Sequence, residues 1–134
     1  AVEILDYVVV EDGGVMINPM IVDGQVLGGA AQGIGTALYE EMPFDDEGQP
    51  LASTLADYML PGAAEVPDIR ILHMETPSPY TVFGQKGIGE GGAIGPLGAL
   101  ANAVNDALHP LGAWLGETPI TPRRVLAAIR EAGS

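Results

Sequence analysis

Apolar residues first run without alternation, from Leu5 to Glu11 (LDYVVVE), and this β-branched density predicts a buried strand. Asp12-Gly13-Gly14 is a turn signal, so Val15-Met16-Ile17 reads as the return strand of a hairpin, stopped by Asn18-Pro19. The period then changes. Val26, Leu27, Ala30, Ile34, Ala37, Leu38 and Met42 recur at helical spacing, which predicts a helix capped by Asp23, running to about Met42 and ended by Pro43. Gly24, Gly28, Gly29, Gly33 and Gly35 sit at its start or inside it. An interior glycine costs a helix roughly 1 kcal/mol against alanine. Close backbone packing, or close approach of a ligand, must offset that.

Asp45-Asp46-Glu47-Gly48 is an acidic turn, Ile69 to Met74 (IRILHM) reads as a strand, and Thr76-Pro77-Ser78-Pro79 is an extended loop. A glycine loop, Gly84 to Gly92, leads into a second helix ending near Leu108. Ile94, Leu97, Leu100, Ala101, Val104 and Leu108 form its apolar stripe. Thr121-Pro122 is an N-cap followed by proline at the first helical position, opening a last helix to about Glu131 with Val125, Leu126 and Ile129 inward. Strands and helices mixed in this order predict an α+β class of mixed α/β layers. No internal linker interrupts residues 1–134, so one domain is expected.

Composition narrows the possibilities. A chain of 134 residues with 47% apolar and 17% charged residues has the material for one core and is not a disordered segment. Its 19 glycines and 11 prolines follow no repeat, which excludes collagen. A net charge of −13 disfavours nucleic acid and anionic membranes as partners. There is no cysteine, hence no disulfide, zinc–thiolate or iron–sulfur site within the chain, and a cytoplasmic location fits. The longest uncharged stretch, Gly24 to Tyr39, is too short and glycine-rich to span a bilayer. Ala1 is followed at once by strand-like sequence without an initiator methionine, as expected of a piece of a longer chain or a processed product.

The glycine loop is the most informative chemistry. Gly87-x-Gly89-x-x-Gly92 matches the dinucleotide fingerprint as a string, but the following helix leads into His109-Pro110-Leu111-Gly112 rather than a second parallel strand. Lys86 lacks the glycine spacing and the Ser/Thr of a P-loop. What the loop does offer is a run of backbone N–H groups at a helix N-terminus, which suits anions or developing negative charge. Glu90 is either a carboxylate favouring the helix dipole or a general base on a loop cleared of side chains. Gln32, in Ala31-Gln32-Gly33-Ile34-Gly35, is expected to be buried. It is then either a structural amide or a ligand contact. Lys86, the one lysine, pairs with a local carboxylate or touches a ligand. His73 and His109 read as ordinary core or surface histidines, and the five methionines as core fillers. No metal-ligand cluster, EF-hand or nucleophile elbow is present.

The order of segments adds to this. Tyr7 to Gly14, Ile17-Asn18-Pro19, Gly24-Gln25, Gly28-Gly29, Ala31 to Gly35 and Ala37 to Glu41 appear in turn. They are followed by Asp57-Tyr58, Leu60-Pro61, Glu75 to Pro79, Gly84 to Gly91 and Asn102 to Ala107. Together these resemble the C-terminal end of the molybdenum-binding large subunit of the xanthine dehydrogenase, aldehyde oxidase and carbon monoxide dehydrogenase family. The resemblance implies that Glu90, through Lys86-Gly87-Ile88-Gly89-Glu90, is the active-site base. It places Gln32 beside a pterin cofactor, with Lys86, Gly87, Ile88 and Gly89 lining the cofactor side. It implies molybdopterin with molybdenum, as the cytosine dinucleotide, and FAD and [2Fe-2S] clusters on partner subunits or domains. The chemistry implied is hydroxylation of an aldehyde, purine, N-heterocycle or carbon monoxide with water as the oxygen source. A carboxyl group in a glycine-lined, water-poor pocket is more basic than in water, which suits that role. The family's large subunit is several times longer, so this piece alone is expected to be inactive. A non-catalytic scaffold, its glycines serving only close packing, is the rival reading, and a stand-alone nucleotide binder a third.

Overall fold

The computed structural model describes residues 2–134; the abrupt start at Ala1 lies outside them. Strand β1 (Tyr7–Asp12) leads to helix α1 (Pro19–Leu38), and strand β2 (Ile69–Met74) returns parallel to β1. Helix α2 (Gly91–Leu108), a 3₁₀ turn at His109–Leu111 and helix α3 (Pro122–Ala132) complete the order. The class is the mixed helix-and-strand one expected from the sequence.

The sheet among the described residues has two strands, in register from Tyr7 opposite Ile69 to Asp12 opposite Met74. The expected hairpin does not form. The Asp12 carboxylate accepts the Gly14 N–H at 3.0 Å, and the Val15 N–H donates to the Gly84 carbonyl at 3.2 Å. The turn thus hands the chain to the glycine loop instead of folding Val15–Ile17 back on β1. Gly14 has φ +62°, and a Cβ there would strike the Gly84 carbonyl, so that approach requires glycine.

The cap of α1 also differs from expectation. Asn18, not Asp23, accepts the Ile21 N–H at 3.3 Å, and Pro19 occupies the first turn. The helix stops at Leu38, short of Met42, because the Gly35 carbonyl takes both the Tyr39 and Glu40 N–H groups at 2.9 Å. Leu27 and Met42, assigned inward by periodicity, are 42% and 47% exposed.

Helices α1 and α2 pack through glycine. A Cβ on Gly29 would lie 2.9 Å from the Ala93 nitrogen, one on Gly33 2.6 Å from Pro96 Cγ, and one on Gly92 2.6 Å from the Val26 carbonyl. Pro96 is buried inside α2 and seats against Gly33. Ala30, Ile34, Ala37, Leu38, Leu100, Val104 and Leu108 form the core there, with Tyr7, Ala113, Ile120 and Ala128 around them. Close packing therefore explains these three glycines.

Several apolar residues point away from the core. Of the methionines, Met20, Met42, Met59 and Met74 are 47–77% exposed, so they are not core fillers within this chain. Ile94 on α2 and Leu126 on α3 are exposed too; Ala128, with half-buried Val125 and Ile129, faces inward on α3. The run in β1 is buried on one face alone, since Val8 and Val10 are exposed. Parallel strands are normally covered on both faces. A groove of about 1050 Å³ lies along β1 and α2, walled by Tyr7, Val9, Pro96, Leu100 and Val104.

Candidate active site

The loop from Gly84 to Glu90 is laced to the end of β1. Asp12 is the knot. Its Oδ1 accepts the N–H groups of Gly14 (3.0 Å) and Thr76 (3.1 Å), and its Oδ2 accepts from the Thr76 hydroxyl and from Lys86 Nζ, the latter at 2.9 Å. The Thr76 hydroxyl first, then the Lys86 ammonium and the two N–H groups, hold the Asp12 carboxyl far below the usual carboxylate range. The Lys86 N–H donates to the Gly13 carbonyl at 2.9 Å, and the Gly84 carbonyl also accepts the Ser78 N–H at 2.9 Å. Lys86 forms an ion pair with a carboxylate, though one 74 residues away rather than local. Asp12 was invisible to sequence reasoning because Asp-Gly-Gly reads as an ordinary turn.

From Gly87 the loop changes character. The N–H groups of Gly87, Ile88, Gly89 and Glu90 find no acceptor among the described residues. Nothing lies within 4 Å of a Cβ built on Gly87 or Gly89. Close packing, sufficient for Gly29, Gly33 and Gly92, does not account for these two. Glu90 occupies the N-cap position of α2, but its carboxylate caps no N–H; its backbone carbonyl accepts the Ala93 N–H at 3.0 Å. The carboxylate is exposed and forms no ion pair among the described residues. It is thus presented rather than consumed.

Gln32 is exposed, not buried as the apolar surroundings suggested. Its backbone carbonyl accepts the Thr36 hydroxyl at 3.1 Å. The correction follows from α1's geometry: Gly29 and Gly33 turn toward α2, and Gln32 falls on the flank of that seam, where no element covers it. Gln25 lies two turns earlier on the same face, with open Gly28 between them, roughly 10 Å away along the axis. Gln25 reaches the loop, its Nε2 donating to the Gly89 carbonyl at 3.0 Å. Sequence reading missed it because its partner is 64 residues away.

The histidines are unremarkable as metal ligands. His73 on β2 pairs with Asp23 on α1 at 2.7 Å, and His109 opens the 3₁₀ turn. No group of His, Asp or Glu among the described residues could itself hold a metal. Among the described residues, no helix is long and apolar enough to cross a membrane. The groove along β1 does not include Glu90, Gln32 or Lys86 in its walls.

An exposed carboxylate thus stands beside amides that have no partner among the described residues, next to a helix face that bears two glutamines. Residues 1–67 match the molybdopterin cofactor-binding domain family. The chain is 47% identical over 121 residues to the nicotine 6-hydroxylase large subunit of Paenarthrobacter nicotinovorans, covering 90% of this chain and 15% of that one. It is 38% identical over 125 residues to the carbon monoxide dehydrogenase large chain of Hydrogenophaga pseudoflava, covering 93% and 16%. The crystal structure of quinoline 2-oxidoreductase from Pseudomonas putida 86 superposes with a TM-score of 0.95 at 50% identity, over 98% of this chain and 17% of that one. The chain thus spans about one sixth of the length of these relatives, and it belongs to the molybdopterin cofactor-binding domain family.

Proposed function

We propose that this chain is the C-terminal portion of the large subunit of a molybdopterin-dependent hydroxylase, in which Glu90 is the general base. One observation carries the reading: the Glu90 carboxylate is left unpaired by a loop whose neighbouring charge, Lys86, is already neutralised by Asp12. The donor set suits the cofactor. Gly87, Ile88 and Gly89 offer unpartnered N–H groups to oxygen ligands, and the absent side chains at Gly87 and Gly89 leave room for a bulky group. Gln32 offers an amide from α1 to the pterin. Lys86 serves the cofactor by holding the loop through Asp12.

When bound, the cofactor supplies a two-electron redox centre for hydroxylation with water as the oxygen source. Glu90 accepts, at a carboxylate oxygen, the proton of the water-derived oxygen that attacks the substrate carbon. Gly87 to Gly89 bring that carboxylate close without interposing side chains. The substrate belongs to the class of aldehydes, purines, N-heterocycles and carbon monoxide. The pterin is the cytosine dinucleotide form. FAD and [2Fe-2S] clusters reside on partner subunits, and the complex is cytoplasmic. The groove along β1 and the exposed methionines are where the remainder of the large subunit packs, and the isolated chain is inactive.

The test is Glu90→Gln in the complete enzyme. Turnover should fall by roughly two to four orders of magnitude, the usual worth of a general base, with molybdenum and pterin content unchanged. Near-normal turnover would remove the base assignment.

A further inference from the structure

We propose that Gln25 is a positioning residue for Glu90, acting through the carbonyl of Gly89. The inference rests on Glu90 being the base. Between the Lys86 N–H, tied to Gly13, and the Glu90 carbonyl, tied to Ala93, the Gln25 bond is the one hydrogen bond among the described residues that reaches the loop from another element. The intervening Gly87 and Gly89 have no Cβ to restrict them and no neighbour against which one would pack. Without this tether no hydrogen bond among the described residues would hold the stretch between its two ends.

The tether acts at an effective point. The Gly89 carbonyl and the Glu90 N–H belong to one planar peptide. Holding the oxygen therefore sets the plane, turns the Glu90 N–H away from α1, and fixes where the Glu90 Cα–Cβ bond begins. The backbone that carries Gln25 is held, because its neighbour Val26 is buried against Gly92 of α2. A misplacement of about 1 Å in a reacting group can lower a rate by about a hundredfold, so this control bears on kcat rather than on substrate affinity.

The experiment uses the complete enzyme carrying Gln25→Met, which keeps the side chain's length and removes the donor. Turnover is assayed with quinoline, nicotine, xanthine and carbon monoxide, and amide hydrogen exchange is followed in peptides covering residues 86–92. The expected result is faster exchange in that segment but not in the middle of α1. Where turnover is measured, kcat should fall about tenfold or more with KM and molybdenum content within twofold. In a Glu90→Asp background, whose carboxylate is already displaced, the same substitution should lower kcat by less than about threefold, because effects routed through one group are not additive. Gln25→Glu, of the same length and no donor when ionised, gives the same readings if the methionine variant assembles poorly. Unchanged exchange in segment 86–92 overturns the proposal, as does an equal loss of kcat in both backgrounds. A Glu90→Gln enzyme that remains active overturns the base assignment instead, leaving the exchange result to stand as a statement about the loop alone.

Discussion

At the scale of single residues, the site depends on which charges are spent and which are left. Asp12 is spent four times over, on Gly14, on the amide and hydroxyl of Thr76, and on Lys86. Its carboxyl therefore ionises more readily in the folded chain than its ordinary value of 3.8. A carboxyl shifted in this direction stabilises the fold fully above the ordinary value, and loses that contribution as pH falls below it toward the folded-state value. The loop joining β1 to Glu90 should accordingly loosen only in strong acid. Asp12→Asn should bring the same loosening to neutral pH, seen as faster amide exchange around Lys86, and the difference between variant and parent should shrink as the pH is lowered below 3.8. An unchanged difference across that range would mean the Asp12 carboxylate does not hold the loop. The sequence announces Glu90 and Lys86 through the glycines around them. It does not announce Asp12 or Gln25, whose partners lie 74 and 64 residues distant and whose own surroundings look like any turn and any helix.

At the scale of elements, the glycines of α1 divide by what surrounds them. Gly29 meets the backbone of Gly92 and Ala93, which cannot retreat, whereas Gly28 meets nothing within 4 Å. Gly29→Ala should destabilise the subunit by about 1–3 kcal/mol through overpacking. Gly28→Ala should stabilise α1 by up to about 1 kcal/mol through helix propensity, while lowering cofactor content because its methyl enters the face shared by Gln25 and Gln32. Thermal denaturation and metal analysis of the two variants of the complete subunit check both statements. β2 was legible to the residue, since IRILHM has no competing period, and α3 was legible from Thr121-Pro122. The start of α1 was not, because Asn18-Pro19 is at once a strand stop and a helix start. The false hairpin arose similarly: Asp12-Gly13-Gly14 allows a tight turn, but the Asp12 side chain and the Gly84 carbonyl, remote in sequence, take the N–H groups a return strand would use.

At the scale of the whole molecule, the chain carries more apolar surface than it covers. A two-stranded parallel sheet is not a stable end point in water, and here one face of β1 and a long groove beside α2 stand open. The isolated 134 residues should bind a hydrophobic dye strongly, and the complete large subunit only weakly, despite a net charge of −13 that favours solubility. Equal dye binding by both would show that these surfaces are not covered in the assembled enzyme.

Asn105 has a quieter consequence. Buried beneath the stretch that crosses from the 3₁₀ turn to α3, it grips Leu115 from both sides, its amide nitrogen donating to the Leu115 carbonyl at 2.9 Å and its oxygen accepting the Leu115 N–H at 2.8 Å. That crossing has no helix or strand of its own, yet it delivers Ala113 and Ile120 to the interior. The amide works as a two-pronged buckle on a strap. Aspartate would lose the donating prong and bury a charge, leucine would lose both, and glutamine would overshoot by a methylene. A single side chain in α2 thus fastens the near end of the strap whose far end is held by the Ile120 N–H on the Ala37 carbonyl.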